Sequence, residues 1–253
     1  MRMLACVVMV VCLSFSQGRI NIVCAADISS ASAYINDSYD PFEKTGADAD
    51  QQQVADPLEK FNRGMFIFND KLYYYALKPA AQGYGFIVPE PVRMCVKRFF
   101  LNLATPVRLV NCCLQGKFGG AGVELTRFAV NTTAGVCGLF DPAYYCWRIT
   151  RHDEDTGRTF GRYGIGHGIY LVWPILGPSS IRDTFGFAGD MLLDPLFYAD
   201  MAFWQSATID AYEMVNNVSL KINDYDEFKK SALDPYVSMK NAYIQNRGHA
   251  LQQ

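Results

Sequence analysis

The chain has 253 residues, half of them hydrophobic and only 19% charged, with a formal net charge of −2 and a pI near 5.9. This balance excludes an intrinsically disordered chain, which needs low hydrophobicity and high charge. It also gives no global attraction for phosphate backbones, so no nucleic-acid partner is expected.

Met1-Arg2-Met3 supplies a positive charge, Leu4 to Phe15 is apolar except for Ser14, and Cys24-Ala25-Ala26 precedes Asp27. A charged start, a short apolar stretch and a small-residue exit form the pattern of a secretory signal peptide, and the run is too short to span a bilayer. Residues 1–26 are read as that signal, with cleavage after Ser16 or Gly18 as alternatives and a buried N-terminal helix as the competing structural reading. Its removal takes away Arg2 and Arg19 and no acid, so the mature chain carries a net charge of −4. Five cysteines remain, Cys95, Cys112, Cys113, Cys137 and Cys146, in spacings that match no zinc pattern. They are expected to be buried free thiols, with a Cys137–Cys146 bridge as the alternative.

Residues 27–55 show neither helical nor strand periodicity and are read as a flexible lead-in, with the ordered domain covering 56–247 and a tail 248–253. Asp56-Pro57-Leu58-Glu59 opens a helix with an N-cap acid and a proline at the first turn. Leu58, Phe61, Met65, Phe68, Leu72 and Tyr75 then mark one helical face, ending near Lys78-Pro79. Phe66, Ile67, Tyr73 and Tyr74 lie off that stripe, so the helix is apolar on more than one side. This suggests burial against protein and lipid together.

Pro89-Glu90-Pro91 opens a helix to Leu103, Thr105-Pro106 opens another that Gly116 ends, and Gly122 to Thr133 is a third. Asp194-Pro195 repeats the Asp-Pro start before a long segment reaching about Ile222, and a last helix covers Asp234 to Arg247. No run alternates long enough to demand a sheet, so the fold class is all-α. The stretch from Gly157 to Pro178 departs from the pattern. Its glycines resist a helix at about 1 kcal/mol each, and an irregular or hairpin-like segment is expected.

Several chemistries are weak on inspection. Gly161 to Gly168 has neither a dinucleotide fingerprint nor a Gly-Lys-Ser/Thr end, so phosphate cradling by that loop is not expected. His152 with Asp153, Glu154 and Asp155 reads as a solvated loop rather than a metal site, because three adjacent carboxylates cannot converge on one ion. A hydrolase would use Ser179 or Ser180 as nucleophile, His167 as base and Asp183 as orienting acid. No nucleophile elbow surrounds either serine, and Ser180 capping a helix with Asp183 completing the box is the better account. No catalytic residue, cofactor or metal is expected.

Several blocks resemble the MlaA (VacJ) proteins of Gram-negative envelopes. They are Asp56-Pro57-Leu58-Glu59-Lys60-Phe61-Asn62-Arg63 with Phe66-Ile67-Phe68-Asn69, then Asn102-Leu103, Pro106, Asn111 and Leu114-Gln115-Gly116. Arg127-Phe128, Asn131-Thr132, Gly135, Gly138 and Asp141-Pro142-Ala143 follow. The most specific block runs from Glu154-Asp155-Thr156-Gly157 through Gly168-Ile169-Tyr170 to Leu176-Gly177-Pro178-Ser179-Ser180-Ile181-Arg182-Asp183. Tyr236, Lys240-Asn241-Ala242-Tyr243 and Arg247 close the series. Two features depart from the family. Neither Asn21-Ile22-Val23-Cys24 nor Met9-Val10-Val11-Cys12 fits its lipoprotein box, and its Val-Asn-x-Arg motif is here Val215-Asn216-Asn217-Val218.

The resemblance implies a ring-like bundle of amphipathic helices in the inner leaflet of the outer membrane, on its periplasmic side. Such a protein passes mislocalised phospholipid from the outer leaflet to a periplasmic carrier of the MlaC type while bound to a trimeric porin. It also makes Arg182, Asp183 and Asp190, with the glycine-rich backbone at Gly164, Gly166 and Gly168, the candidate lining of a lipid channel. A phospholipase-like hydrolase and a non-transporting structural or virulence protein are the alternatives.

Overall fold

The computed structural model describes residues 56–252, so the expected signal peptide, cleavage site and lead-in, and the two cysteine boxes, lie outside the described residues. Helix α1 (Glu59–Leu72) starts where an Asp56 carboxylate oxygen accepts the Leu58 amide at 3.2 Å and the Asn62 side chain at 2.9 Å. The helix does not end near Lys78-Pro79. It passes through a π turn (Tyr73–Leu77) into α2 (Lys78–Ile87). Pro79 has no amide hydrogen for the preceding turn and its ring crowds the carbonyl four residues back. The wider π turn immediately before it is the device that carries the backbone past the proline.

Helices α3 (Glu90–Leu103), α4 (Thr105–Leu114) and α5 (Phe118–Thr133) follow the proline and glycine punctuation, with Gly116 at φ +74° ending α4. Short helices α6 (Pro142–Trp147) and α7 (Thr156–Arg162) are capped by the Asp141 and Asp155 carboxylates. Thus the first part of the glycine-rich stretch is helical, contrary to its propensity. The hairpin expected there lies further on: β1 (Tyr170–Trp173) pairs antiparallel with β2 (Gly177–Ser180), Tyr170 opposite Ser180 and Trp173 opposite Gly177. Ser180 then caps α8 (Ile181–Leu193), its hydroxyl accepting the Asp183 amide at 3.1 Å.

Asp194-Pro195 starts only a 3-10 turn, Pro195–Tyr198. The backbone is extended at Ala199 before α9 (Phe203–Leu220) begins. Two more helices complete the chain, α10 (Asp224–Ser231) and α11 (Pro235–Gln252), the latter running beyond Arg247.

Packing between elements closes on itself: α1 meets β1, α2 meets α9, α9 meets α3, α3 meets α4, α4 meets α8, and α8 meets β2, the partner of β1. The apolar core cluster is small. Tyr170, Val172, Tyr236 and Tyr243 form it, with the Tyr170 and Tyr243 rings 5.8 Å apart and Met65 and Phe66 against them.

The free edge of β1 is held by two asparagines of α1. Asn62 donates to the Tyr170 carbonyl at 3.0 Å and accepts the Val172 amide at 2.9 Å. Asn69 donates to the Trp173 carbonyl at 2.8 Å and accepts the Ile175 amide at 2.8 Å. Seven residues apart, they lie two turns along one helix face, and each amide imitates a strand neighbour.

Polarity is inverted relative to a water-soluble globule. Among the described residues, buried polar and charged residues outnumber buried apolar ones, while Phe86 is 93% exposed, Trp204 76% and Phe203 75%.

Candidate functional site

The site is built where α7, the start of α8 and the end of α11 meet. Each member of Glu154-Asp155-Thr156-Gly157 has a separate task. Glu154 accepts Lys117 at 2.8 Å and Gln115 at 2.9 Å. Asp155 caps α7 through the Arg158 amide at 2.7 Å, and its other oxygen takes Arg247 Nη1 at 2.5 Å. The Thr156 amide and hydroxyl both donate to Asp190, at 2.9 and 2.7 Å. At Gly157 a Cβ would lie 2.6 Å from Asp183 Oδ1, and at Gly186 a Cβ would lie 2.4 Å from the Gly157 nitrogen. Glycine here lets α7 and α8 touch, and that contact overrides its low helix propensity. The three adjacent carboxylates are therefore not a solvated loop. Asp153 pairs with Arg151, Glu154 with Lys117 and Asp155 with Arg247, each turned to its own cation.

Arg182 and Asp183 are 3% and 5% exposed. Arg182 Nε donates to Asp183 Oδ1 at 2.8 Å, Arg247 Nε lies 3.0 Å from Asp183 Oδ2, and the Tyr243 hydroxyl donates to that same oxygen. Burial alone would raise the Asp183 carboxyl. The Arg247 charge, the Arg182 and Tyr243 hydrogen bonds and the Arg182 charge together hold it below the usual carboxylate range. Asp183 thus does not complete a capping box: its amide is capped, while its carboxylate anchors α11 to α8.

Of the six expected channel residues, Arg182 and Asp183 are joined directly. Asp190 lies two turns further along α8, bound to Thr156 and, at 3.3 Å, to Asn111. Burial pushes its carboxyl up to about 6, against the hydrogen bonds from Thr156. Gly164 and Gly168 adopt φ of +85° and +69° in the connection between α7 and β1, and Gly166 lies between them. The Arg182 amide donates to the His167 carbonyl at 3.4 Å, which brings this connection onto the start of α8.

The serine–histidine–aspartate reading has no matching geometry. Ser180 Oγ accepts an amide and Asp183 is taken by Arg182, Arg247 and Tyr243. All five cysteines among the described residues are free, but only Cys112 is fully buried, while Cys113, Cys137 and Cys146 are exposed. The missing cation of the Val-Asn-x-Arg motif has a neighbour from elsewhere: Arg93 Nη1 donates to the Ser219 carbonyl at 2.6 Å, near the carboxyl end of α9. Asn216 accepts the Tyr84 hydroxyl at 3.0 Å and donates to the Arg93 carbonyl at 3.0 Å.

Sequence reasoning assigned no role to Asn62, Asn69 and Tyr243, and read Asp155 only as part of a solvated loop. The seven-residue spacing of the asparagines was visible. The link from Asp155 to Arg247, 92 positions apart, has no local signal.

Comparison with known proteins places these residues in context. The family model described as MlaA lipoprotein matches residues 54–250. An uncharacterised protein of Rickettsia conorii is 32% identical over 234 residues, covering 91% of this chain and 92% of its own. The Escherichia coli K12 intermembrane phospholipid transport system lipoprotein MlaA is 33% identical over 203 residues, 78% of each chain. A solved structure described as the structural basis for maintenance of bacterial outer membrane lipid asymmetry is similar at a TM-score of 0.70 and 33% identity, covering 78% of this chain and 100% of that one.

Proposed function

The chain belongs to the MlaA lipoprotein family, and on that premise we propose that it is the outer-membrane component of an intermembrane phospholipid transport system. It maintains lipid asymmetry by removing phospholipid that has strayed into the outer leaflet, and it does so without breaking a bond. The protein lies in the inner leaflet against a trimeric porin. It presents a wet passage to the headgroup and delivers the lipid to a soluble carrier of the MlaC type.

The single observation that carries this reading is the inverted polarity. Large aromatic and aliphatic side chains face outward from several helices, while arginine, aspartate, glutamate and asparagine are buried between them. Exposed apolar surface on this scale marks a protein or lipid environment. No described helix is long and apolar enough to cross a membrane, so immersion in one leaflet by apolar helix faces is the arrangement that fits.

The physical task is modest. Dragging a charged headgroup through hydrocarbon is expensive because the charge loses its hydration. A passage lined by polar groups lowers that barrier, and the lipid then moves down its gradient. Fluorescent phosphatidylethanolamine supplied with the purified protein in vesicles tests this against hydrolysis. Intact lipid is expected to reach an added MlaC-type carrier, with no lysolipid or free fatty acid formed. Fatty-acid release that disappears in Ser180→Ala would establish the hydrolase instead.

A further inference from the structure

Arg182 is almost wholly buried, yet its hydrogen bonding is half complete. Nε is engaged by Asp183, while Nη1 and Nη2 are buried without a partner. His167 Nδ1 and Arg158 Nε are likewise buried with no hydrogen-bond partner. These orphaned groups belong to one neighbourhood. The His167 carbonyl accepts the Arg182 amide, and burial together with the charge of Arg182 depresses the imidazole. Arg158 lies 3.7 Å from Asp155, which binds Arg247, which in turn faces Asp183.

In this chain of contacts Arg158 meets Asp155, Arg182 meets Asp183, and Arg247 meets both acids. Backbone amides at the start of α8 cannot serve an anion, because those of Ile181, Arg182 and Asp183 are taken by the Ile169 carbonyl, the His167 carbonyl and Ser180 Oγ. The recognition has to come from side chains.

We infer that the two Nη groups of Arg182 left without a partner, together with the imidazole of neighbouring His167, form an oxyanion site for a phosphate, supplied by the phosphodiester of a phospholipid headgroup. A guanidinium edge with two parallel donors matches the geometry of two phosphate oxygens. The assignment rests on the proposed transport function and gives its passage a defined stop. The ion pair with Asp183 orients the fork, and the adjacent carboxylates keep the grip weak enough for release.

The test uses the full-length chain in detergent, titrated with dioctanoyl phosphatidylglycerol, dioctanoylglycerol and inorganic phosphate. Arg182→Gln should weaken phosphatidylglycerol binding at least tenfold, and Arg182→Lys by an intermediate factor because the charge stays but the fork is lost. His167→Gln, which leaves every ion pair in place, should also weaken it, and dioctanoylglycerol should respond to none of the three. Circular dichroism and melting establish the fold of each variant. If Arg182→Gln does not fold, Arg182→Lys and His167→Gln decide the question.

Competition by millimolar inorganic phosphate, abolished by Arg182→Gln, supports the oxyanion site with free phosphate as an occupant. Absence of competition together with loss of lipid binding supports the headgroup alone. Phosphatidylglycerol binding unchanged in the folded variants overturns the site. Wild-type rescue of a deletion strain combined with that result leaves transport standing without it. Arg182-dependent binding in a protein whose deletion leaves surface phospholipid unchanged keeps the site and overturns transport.

Discussion

Asp190 shows how a single buried carboxyl makes the fold sensitive to pH. Desolvation lifts it to about 6 although Thr156 donates to it twice. The folded chain therefore holds this proton at a pH where the unfolded chain, with an ordinary value of 3.8, has released it. Its contribution is fully present below the unfolded value and is lost as the pH rises through the folded one. Between pH 4 and 6 the wild type should lose about 2–3 kcal/mol relative to Asp190→Asn, whose side chain keeps the acceptor oxygen without titrating. Denaturant unfolding at several pH values measures the difference, and parallel curves would contradict it. Asp183, held low by Arg247, Arg182 and Tyr243, makes its own contribution only at more acidic pH.

At this scale the sequence was partly legible. The Ser180 cap could be read from residue type and spacing alone. The role of Gly157 and Gly186 could not, because both are fixed by the approach of two helices rather than by local conformation.

Among the elements, helix starts marked by proline and cap residues were readable: Pro89-Glu90-Pro91, Thr105-Pro106 and Ser180 each stand at the start of a helix. Helices α7 and α10 were not, since each depends on contacts remote in sequence, and the π turn was not because Pro79 marks a helix end as readily as a local widening. Helix α10 buries no residue. It is held to α1 and α2 by Lys229 on Asp70 at 2.7 Å, Asp226 on Lys78 at 2.5 Å and the Tyr225 hydroxyl on Asp70 at 2.8 Å. An apolar stripe cannot reveal a helix fastened by charge and tyrosine.

The hairpin depends on α1 in a way that can be measured. Asn62→Ala strips partners from the buried Tyr170 carbonyl and Val172 amide, an expected loss of about 3 kcal/mol. Asn69→Ala exposes the Trp173 and Ile175 groups to a more open surface and should cost about 1 kcal/mol or less. Amide exchange at Val172 and Ile175 distinguishes the two. Equal losses, or unchanged exchange at Val172 in Asn62→Ala, would refute the clamp.

For the whole molecule, the notable property is where the polar groups sit. A chain whose composition is only moderately hydrophobic nevertheless directs Phe86, Phe203 and Trp204 outward and encloses Arg182, Asp183, Glu124 and Asn216. Composition could not show this, because it counts residues without saying which way they face. Periodicity gave a hint in α1, where apolar residues lie on more than one side. Family membership points the same way, to an outer membrane lipoprotein, and exposed apolar surface on this scale marks a protein or lipid environment.

The central property to test is movement of phospholipid by the protein in its membrane. The direct measurement is the amount of phospholipid in the outer leaflet of the native bacterium, compared between a clean deletion, the parent and a complemented strain. Surface phospholipid should rise in the deletion, with greater sensitivity to detergent, and return to the parental level on complementation. Surface phospholipid that stays at the parental level in the deletion would contradict it.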